Sequence, residues 1–370
     1  MRSKRTLAVI VAAIAAGTLG ACGGDDETTT TAGASAEPQR ERVAKPTGTI
    51  RISNWDAYMP EDLIANFTKE TGIKVKLSKQ TSNEDIVGKL QAANGGGYDL
   101  VFVSGPFVES LSKQGMLAQL NKAQIPNEKN LAAGATTLSY DKGNRYSMPY
   151  TWGTTGICYR SDKVKADPTS WKAILEPAPE HRGRVTQLAT DRWLFLPALK
   201  ALGFSANEQD EGKLQQAADL LKKSKDQLLA YDDTTFYTKL VKGEADLVAA
   251  WDGWCNYGIA EDKRIKFTVP EEGSDVFADA MVVLEKSENK AAAEEFMNYV
   301  LRPDVHAGVA ELVYYKVPNP KAMELVDPKL TKQFPNLGMA PEELLQQETL
   351  RDLGPAAPTM SRLVTEITKG

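Results

Sequence analysis

The stretch Thr49-Ile50-Arg51-Ile52-Ser53-Asn54-Trp55-Asp56-Ala57-Tyr58-Met59-Pro60-Glu61-Asp62 decides how the rest of the chain is read. Residues 49–53 alternate in character and carry β-branched side chains, which predicts a strand. Pro60-Glu61-Asp62 then predicts the opening of a helix to about residue 69, with proline near the first helical position and acids in the first turn. Trp55, Asp56 and Tyr58 therefore fall in a short strand-to-helix loop. In open α/β folds, ligands bind in the crevice outside the carboxyl ends of the strands. Two rings beside a carboxylate suit an organic cation, the rings offering π-faces and the acid the countercharge. The same rings would also serve as loop aromatics covering a core, and this stretch alone leaves both readings open.

Outward from there the rhythm is strand, helix, strand, helix. Thr71-Gly72 reads as a helix stop, 74–77 as a strand, and 82–93 as a helix ended by Asn94-Gly95-Gly96-Gly97. Residues 100–103 are a continuous apolar run, the pattern of a buried parallel strand. Ser104-Gly105-Pro106 follows, presenting a hydroxyl and the amides of a helix N-terminus, with simple capping by Ser104 as the plainer alternative. The stretch 146–153 breaks the rhythm and leads into a strand at 155–159. A second α/β set lies beyond: helix 171–175, strand 184–188, helices to 202 and over 207–223, strand 228–231, helix 235–242 and strand 245–251. The last of these stops at Trp251-Asp252-Gly253-Trp254. Strands at 265–269 and 281–284, a helix at 291–301 and a largely helical remainder complete the chain. This predicts two α/β lobes joined near 150–155, with a return crossing near 275–280. The first lobe takes 48–152 and 278–322, the second 153–277 and 323–370. Loops at strand ends in both carry aromatics and acids and can face each other across a cleft.

The 370 residues give room for two domains of ordinary size, and a composition 42% hydrophobic and 25% charged is that of a soluble globular protein. A formal net charge of −5 argues against nucleic acid as a partner. The first residues read as an export signal: Arg2, Lys4 and Arg5 precede an apolar run, 7–18, too short to span a bilayer. Leu19-Gly20-Ala21-Cys22 resembles a bacterial lipoprotein signal. That resemblance implies a signal peptide at 1–21, lipid on Cys22, and a chain tethered to the extracytoplasmic face of the cell membrane, in periplasm or at the cell surface. An ordinary secretory signal that happens to contain a cysteine is the alternative. The low-complexity segment up to residue 47 cannot bury a core and reads as a disordered spacer. Cys158 and Cys255 have no metal-ligand spacing, and an exported chain lives where disulfides persist, so a bridge between them is the expectation. The sequence gives no distance between their Cα atoms.

Taken in order, Asn54-Trp55-Asp56-Ala57-Tyr58, Phe67-Thr68-Lys69-Glu70-Thr71-Gly72-Ile73-Lys74-Val75, Ser82-Asn83-Glu84, Tyr98-Asp99-Leu100-Val101, residues 146–153, Leu301-Arg302-Pro303-Asp304-Val305 and Pro318-Asn319 resemble the polyamine (spermidine/putrescine) substrate-binding proteins of ABC importers. The resemblance covers residues 48–370. It implies a type II periplasmic-binding-protein fold, α/β in class, whose two lobes close by a hinge on a ligand in the cleft. It also implies a permease and an ATPase as partners, a monomer, and no cofactor or metal. In the family, rings sandwich the polyamine stem and carboxylates hold its ammonium ends. Carried over by position, Trp55 and Tyr58 match ligand-contact aromatics, Ser104 a contact hydroxyl, Trp251 a ring of the second lobe, Tyr315 a cleft tyrosine, and Asp279 the amine-binding aspartate at the return crossing. The departures are equally specific. Ala57 stands where spermidine binders have an acid, with Asp56 one place earlier. Thr190 and Trp193 stand where they have an Asp and a Glu, with Asp191 beside them. Phe277 replaces a Trp, and Trp254 replaces an acid of putrescine-type members, leaving Asp252 nearest. A ligand with one cationic end and an apolar or aromatic body fits Trp193, Trp254 and Phe277 as well as a diamine does.

Other classes fare worse. The two histidines, His181 and His306, have no Ser, Cys or metal-ligand partner at useful spacing, and neither G-x-S-x-G nor H-E-x-x-H occurs. Catalysis by carboxylates alone stays conceivable because acids are abundant. A ferric-ion binder of the same fold would use Tyr314-Tyr315 as a phenolate pair, but these residues lie in the family's ordinary segment. A purely structural lipoprotein has only the anchor in its favour. The expectation is a lipid-anchored receptor for a polyamine or related cationic amine.

Overall fold

Residues 40–369 are described by the computed structural model; the signal peptide, Cys22 and the spacer as far as residue 39 lie outside them. The opening alternation forms β1, Thr49–Trp55, with Ile50 and Ile52 buried and Arg51 exposed. In chain order there follow β2, Lys74–Gln80; β3, Leu100–Ser104; β4, Ser147–Gly153; β5, Thr155–Arg160; β6, Val185–Gln187; β7, Ala230–Tyr231; β8, Leu247–Trp251; β9, Ile265–Thr268; β10, Asp275–Val283; and β11, Glu348–Thr349. They form two sheets, one for each α/β lobe. In the first, β1 lies parallel between β2 and β3, β10 runs antiparallel to β3 and to β4, and the short β11 pairs parallel with the first residues of β10. The second has the order β7-β6-β8-β5-β9.

Helices fill the gaps much as the caps and stops foretell. Ser82 caps Asn83–Ala92 by accepting the Asp85 N–H, and Gly72, at φ 77°, ends Leu63–Thr71. That helix starts three residues later than Pro60 suggested, because Pro60–Asp62 close a turn in which the Leu63 amide donates to the Pro60 carbonyl. The helix expected from residue 207 starts at Glu211, where Asp210 supplies the cap. Two stretches read as breaks are strands. Residues 147–153 are β4, buried throughout, with Pro149 tolerated because β10 is the one named strand that β4 pairs with, leaving few ladder donors needed at this position. The return crossing is not a loop but the first half of β10. Opposite the step from Asp279 to Ala280, β4 carries an extra residue, Tyr150, between Thr151 and Pro149. A bulge of this kind re-aims the side chains beside it.

Only Thr154 separates β4 from β5, so the chain passes between sheets without a loop. The return crossing runs alongside. The Thr155 amide donates to the Asp275 carboxylate at 3.0 Å, and Ser274 Oγ donates to the Thr155 carbonyl at 2.6 Å. A third segment joins them, since the Trp152 amide donates to the Lys316 carbonyl while Lys316 Nζ reaches Asp252 Oδ2 at 2.6 Å. Gly153 is required here: a Cβ would fall 2.3 Å from Asp252 Oδ1 and 2.7 Å from the Phe277 ring.

Cys158 of β5 and Cys255 of the helix Asp252–Glu261 are buried and form a disulfide across 97 residues, with Cα atoms 5.9 Å apart. It lies wholly beside the second sheet. Closing a loop of this length restricts the unfolded chain strongly, and the Cys158→Ala/Cys255→Ala double variant is expected to lose about 2–5 kcal/mol of stability in urea unfolding. An unshifted midpoint would show that the cross-link contributes nothing.

Candidate functional site

A cavity of about 330 Å³ opens between the sheets at the carboxyl ends of β1, β3 and β8. Its base on the first lobe is Asp279. Ser104 Oγ donates to Asp279 Oδ1 at 2.6 Å and the Tyr58 hydroxyl donates to Oδ2 at 2.8 Å. Ser104 ends β3 but does not cap the helix that follows, which sets aside the capping alternative. Asn83 fixes it instead, accepting the Ser104 N–H at 2.9 Å and donating to Ser104 Oγ at 3.0 Å. Thr151 Oγ1 lies 2.8 Å from the Tyr58 oxygen, and the Tyr150 hydroxyl donates to the Tyr58 carbonyl at 2.6 Å. His306 Nε2 in turn donates to the Tyr150 carbonyl at 2.7 Å. Ala57, at φ 51°, makes the left-handed turn that presents Tyr58.

Every donor to Asp279 is neutral. Among the described residues no Lys, Arg or His forms an ion pair with it, and burial pushes its carboxyl above the usual range although the hydroxyls act against that. Burial also raises the phenols of Tyr58 and Tyr315, so both remain protonated donors at neutral pH. Rings enclose the rest. Trp55 meets Tyr58 edge-on at 5.5 Å, and Tyr315 lies 5.7 Å from Phe277 and 6.3 Å from Tyr58. Tyr315 presses so closely on the helix Asp252–Glu261 that a Cβ at Gly253 would come within 2.6 Å of its ring. From the second lobe, Trp193 crosses Trp251 edge-on at 5.4 Å and anchors its indole N–H on Asp275 at 2.9 Å. Trp254 completes this wall, packed against Phe236.

Eleven of the thirteen ligand positions expected from sequence thus line one cavity: Trp55, Asp56, Tyr58, Ser104, Thr190, Trp193, Trp251, Trp254, Phe277, Asp279 and Tyr315. Two do not. Asp252 is buried in its ion pair with Lys316, so its charge is already used at the crossing between lobes. Asp191, first in the helix Asp191–Ala201, faces the C-terminal helix and accepts from Ser361. Asp56 reaches the mouth only, 69% exposed and paired with Lys79 Nζ at 2.6 Å. The sequence reading missed Asp233, which lines the cavity from the second lobe, and gave no cleft role to Thr81, Ser82, Asn83, Glu84 or Thr234. The run Asp232-Asp233-Thr234-Thr235 looks like turn chemistry, and nothing local marks Asp233 as different. The tyrosine pair does not act together: Tyr314 turns away onto Phe334 and Tyr257, and among the described residues no group of acids, histidines or cysteines could hold a metal. A second cavity, about 550 Å³, lies under β9, but Lys263, Lys266, Lys329 and Lys332 ring it and would repel a cation.

Residues 62–337 match the family described as bacterial extracellular solute-binding protein. The chain is 34% identical over 302 residues to the spermidine/putrescine-binding periplasmic protein of Escherichia coli, covering 81% of this chain and 86% of that one. It is 31% identical over 326 residues to the putrescine/agmatine-binding protein of Pseudomonas aeruginosa, covering 83% and 86%. Among solved structures it superposes on the spermidine/putrescine ABC transporter substrate-binding protein of Streptococcus pneumoniae with a TM-score of 0.75 at 25% identity, covering 87% of this chain and 99% of that one.

A carboxylate whose pKa is raised by folding is destabilising when ionised, and the cost is relieved as pH falls through the raised value. Asp279→Asn is therefore expected to make the ligand-free protein more stable at pH 7, by about 0.5–2 kcal/mol. The gain should shrink toward acid pH. Thermal melts across pH test this, and a variant that melts below its parent at every pH would refute it.

Proposed function

The chain belongs to the bacterial extracellular solute-binding protein family, whose part is to bind a solute and not to transform one, and from this we propose that it captures a polyamine or related cationic amine in the cavity and delivers it to an ABC permease driven by an ATPase. The observation that carries the reading is Asp279: a buried carboxylate with neutral donors behind it, rings around it and, among the described residues, no cation before it. An ammonium supplies the missing charge, and its alkyl stem displaces water from Trp55, Trp251 and Phe277. Each cation–π contact contributes about 0.5–2 kcal/mol when desolvated. Micromolar affinity needs only about 8 kcal/mol in total. Closure would turn the lobes, 48–152 with 278–322 and 153–277 with 323–370, about the crossings at Thr154 and Ser274. A monocationic or aromatic amine is the second reading, favoured by the rings Trp193, Trp254 and Phe277, which give the cavity an apolar wall.

Isothermal titration of the purified protein with putrescine, spermidine, spermine and agmatine is expected to give a micromolar dissociation constant for at least one. That binding should be lost in Asp279→Ala and Trp251→Ala. A folded protein, free of copurified ligand, that gives no heat with any of them would remove the polyamine reading and turn the search to monocationic amines.

The protein works as a monomer outside the cytoplasm, held at the membrane by lipid on Cys22. Labelled palmitate is expected to enter the full chain and not the Cys22→Ala variant, which should leave the membrane fraction; equal labelling of both would refute the anchor.

A further inference from the structure

The amine reading leaves one end of the ligand without a partner. Asp279 holds a charge on the first lobe, but the positions expected to hold a second are spent: Asp252 on Lys316, Asp191 against Ser361, Asp56 on Lys79 at the mouth. Thr190 and Trp193 carry no charge at all. The structure provides a different carboxylate. Asp233, between β7 and the helix Phe236–Lys242, reaches back to the loop after β6. There its Oδ1 accepts the Ala189 N–H at 2.7 Å and its Oδ2 accepts from Thr190 Oγ1 at 2.9 Å.

Its neighbour serves as an internal comparison. Asp232 has the same charge one residue earlier, yet it is consumed locally. It accepts the amides of Thr234 and Thr235 and pairs with Lys239, which together hold its pKa down at about 2. Asp233 takes no part in that turn. Both of its donors are neutral, and among the described residues it has no cationic partner. Half-buried in the wall of the cavity, it is pushed above the usual carboxylate range by burial. An ionised carboxylate has about four lone-pair sites, so two hydrogen bonds leave each oxygen of Asp233 able to accept another from an ammonium. Asp279 is built alike, with one neutral donor on each oxygen and, among the described residues, no counter-ion. The two stand on opposite lobes and line the same cavity, with Trp55, Trp251, Trp254 and Phe277 around the space they share. Glu84 also reaches this cavity, but it is exposed in the first turn of the helix Asn83–Ala92, where an acid is accounted for by the helix dipole.

Resting on the amine reading above, we propose that Asp233 binds the second ammonium, so that the cavity selects linear dications with one end at Asp279 and the other at Asp233. Thr190 is then a positioning residue that aims the Asp233 carboxylate. Because the two acids sit on different lobes, a dication ties the lobes together, whereas a monoamine engages one lobe electrostatically and the other only through its rings.

The test compares putrescine with n-butylamine, which has the same four-carbon body and one charge, by titration calorimetry of the parent, Asp233→Asn, Asp279→Asn and Glu84→Gln proteins. The parent is expected to prefer putrescine by about tenfold or more, and Asp233→Asn to bring that ratio close to one. Asn keeps an acceptor for the Ala189 amide, and thermal melts check that the variant folds. A ratio in Asp233→Asn within about twofold of the parent's, or a collapse in Glu84→Gln instead, would overturn the assignment while leaving the amine reading intact. A parent protein that binds neither compound would fail the amine reading itself. A measurement on the parent alone is independent of folding in the variants: across 1,3-diaminopropane, putrescine and cadaverine, a fixed pair of carboxylates gives one length optimum. Affinity that only rises with chain length would contradict it.

Discussion

A buried carboxylate without a countercharge is the constraint on which the rest of this structure turns. Removing Asp279 from water costs free energy that two hydroxyls repay only in part, since neither brings a positive charge. The surroundings make sense as a means of holding that charge ready. Asn83 locks Ser104, Thr151 and Tyr150 lock Tyr58, and His306 locks the Tyr150 backbone behind them. The links come from the helix holding Asn83, from β3, from β4 and from the helix holding His306, so the site is distributed over several elements of the first lobe. Its geometry depends on the lobe being folded, and the energy withheld from folding would become available to a cation bound there as proposed above.

β10 connects this site to the joint between the lobes. Asp275, Phe277 and Asp279 are alternate residues and share one face of the strand. The first ties the crossing to Thr155 and Trp193, the second forms the cavity wall, and the third holds the charge. The lobe rotation proposed above would therefore act at Asp275, one end of β10, and be felt at Asp279 in the middle of the same strand. The Asp252–Lys316 pair stiffens the same region from the opposite side. Buried with the Asn336 carbonyl as a further acceptor, it would leave an unpaired charge if either partner were lost.

Much of this is legible in the sequence, for reasons that show where the reading stops. The alternation at residues 49–53, the Ser82 cap and the apolar run at 100–103 are local signals, and local physics decides those elements. The aromatic positions also come together around one cavity, because a large ring at the end of a strand has few places to go other than a crevice. The acids are different. Asp191, Asp252 and Asp233 each sit at a turn or helix start, where an acid is unremarkable, and what separates them is a partner far along the chain. Ser361 draws Asp191 away, Lys316 neutralises Asp252, and Thr190 turns Asp233 inward. No periodicity encodes these pairings. The same holds for β4 and the first half of β10, whose strand character rests on pairing with each other.

The tryptophans have an optical consequence. The chain contains six, and Trp55, Trp193, Trp251 and Trp254 stand around the cavity, while Trp152 and Trp171 are buried in lobe interiors. Indole emission shifts in colour and yield with the polarity and the quenchers around the ring. Four of the six emitters thus line the cavity proposed to take the ligand, and Trp193 adds a hydrogen bond to a carboxylate at the crossing. A ligand bound there as proposed would change the surroundings of four of the six indoles at once, which makes ultraviolet fluorescence a label-free gauge of occupancy.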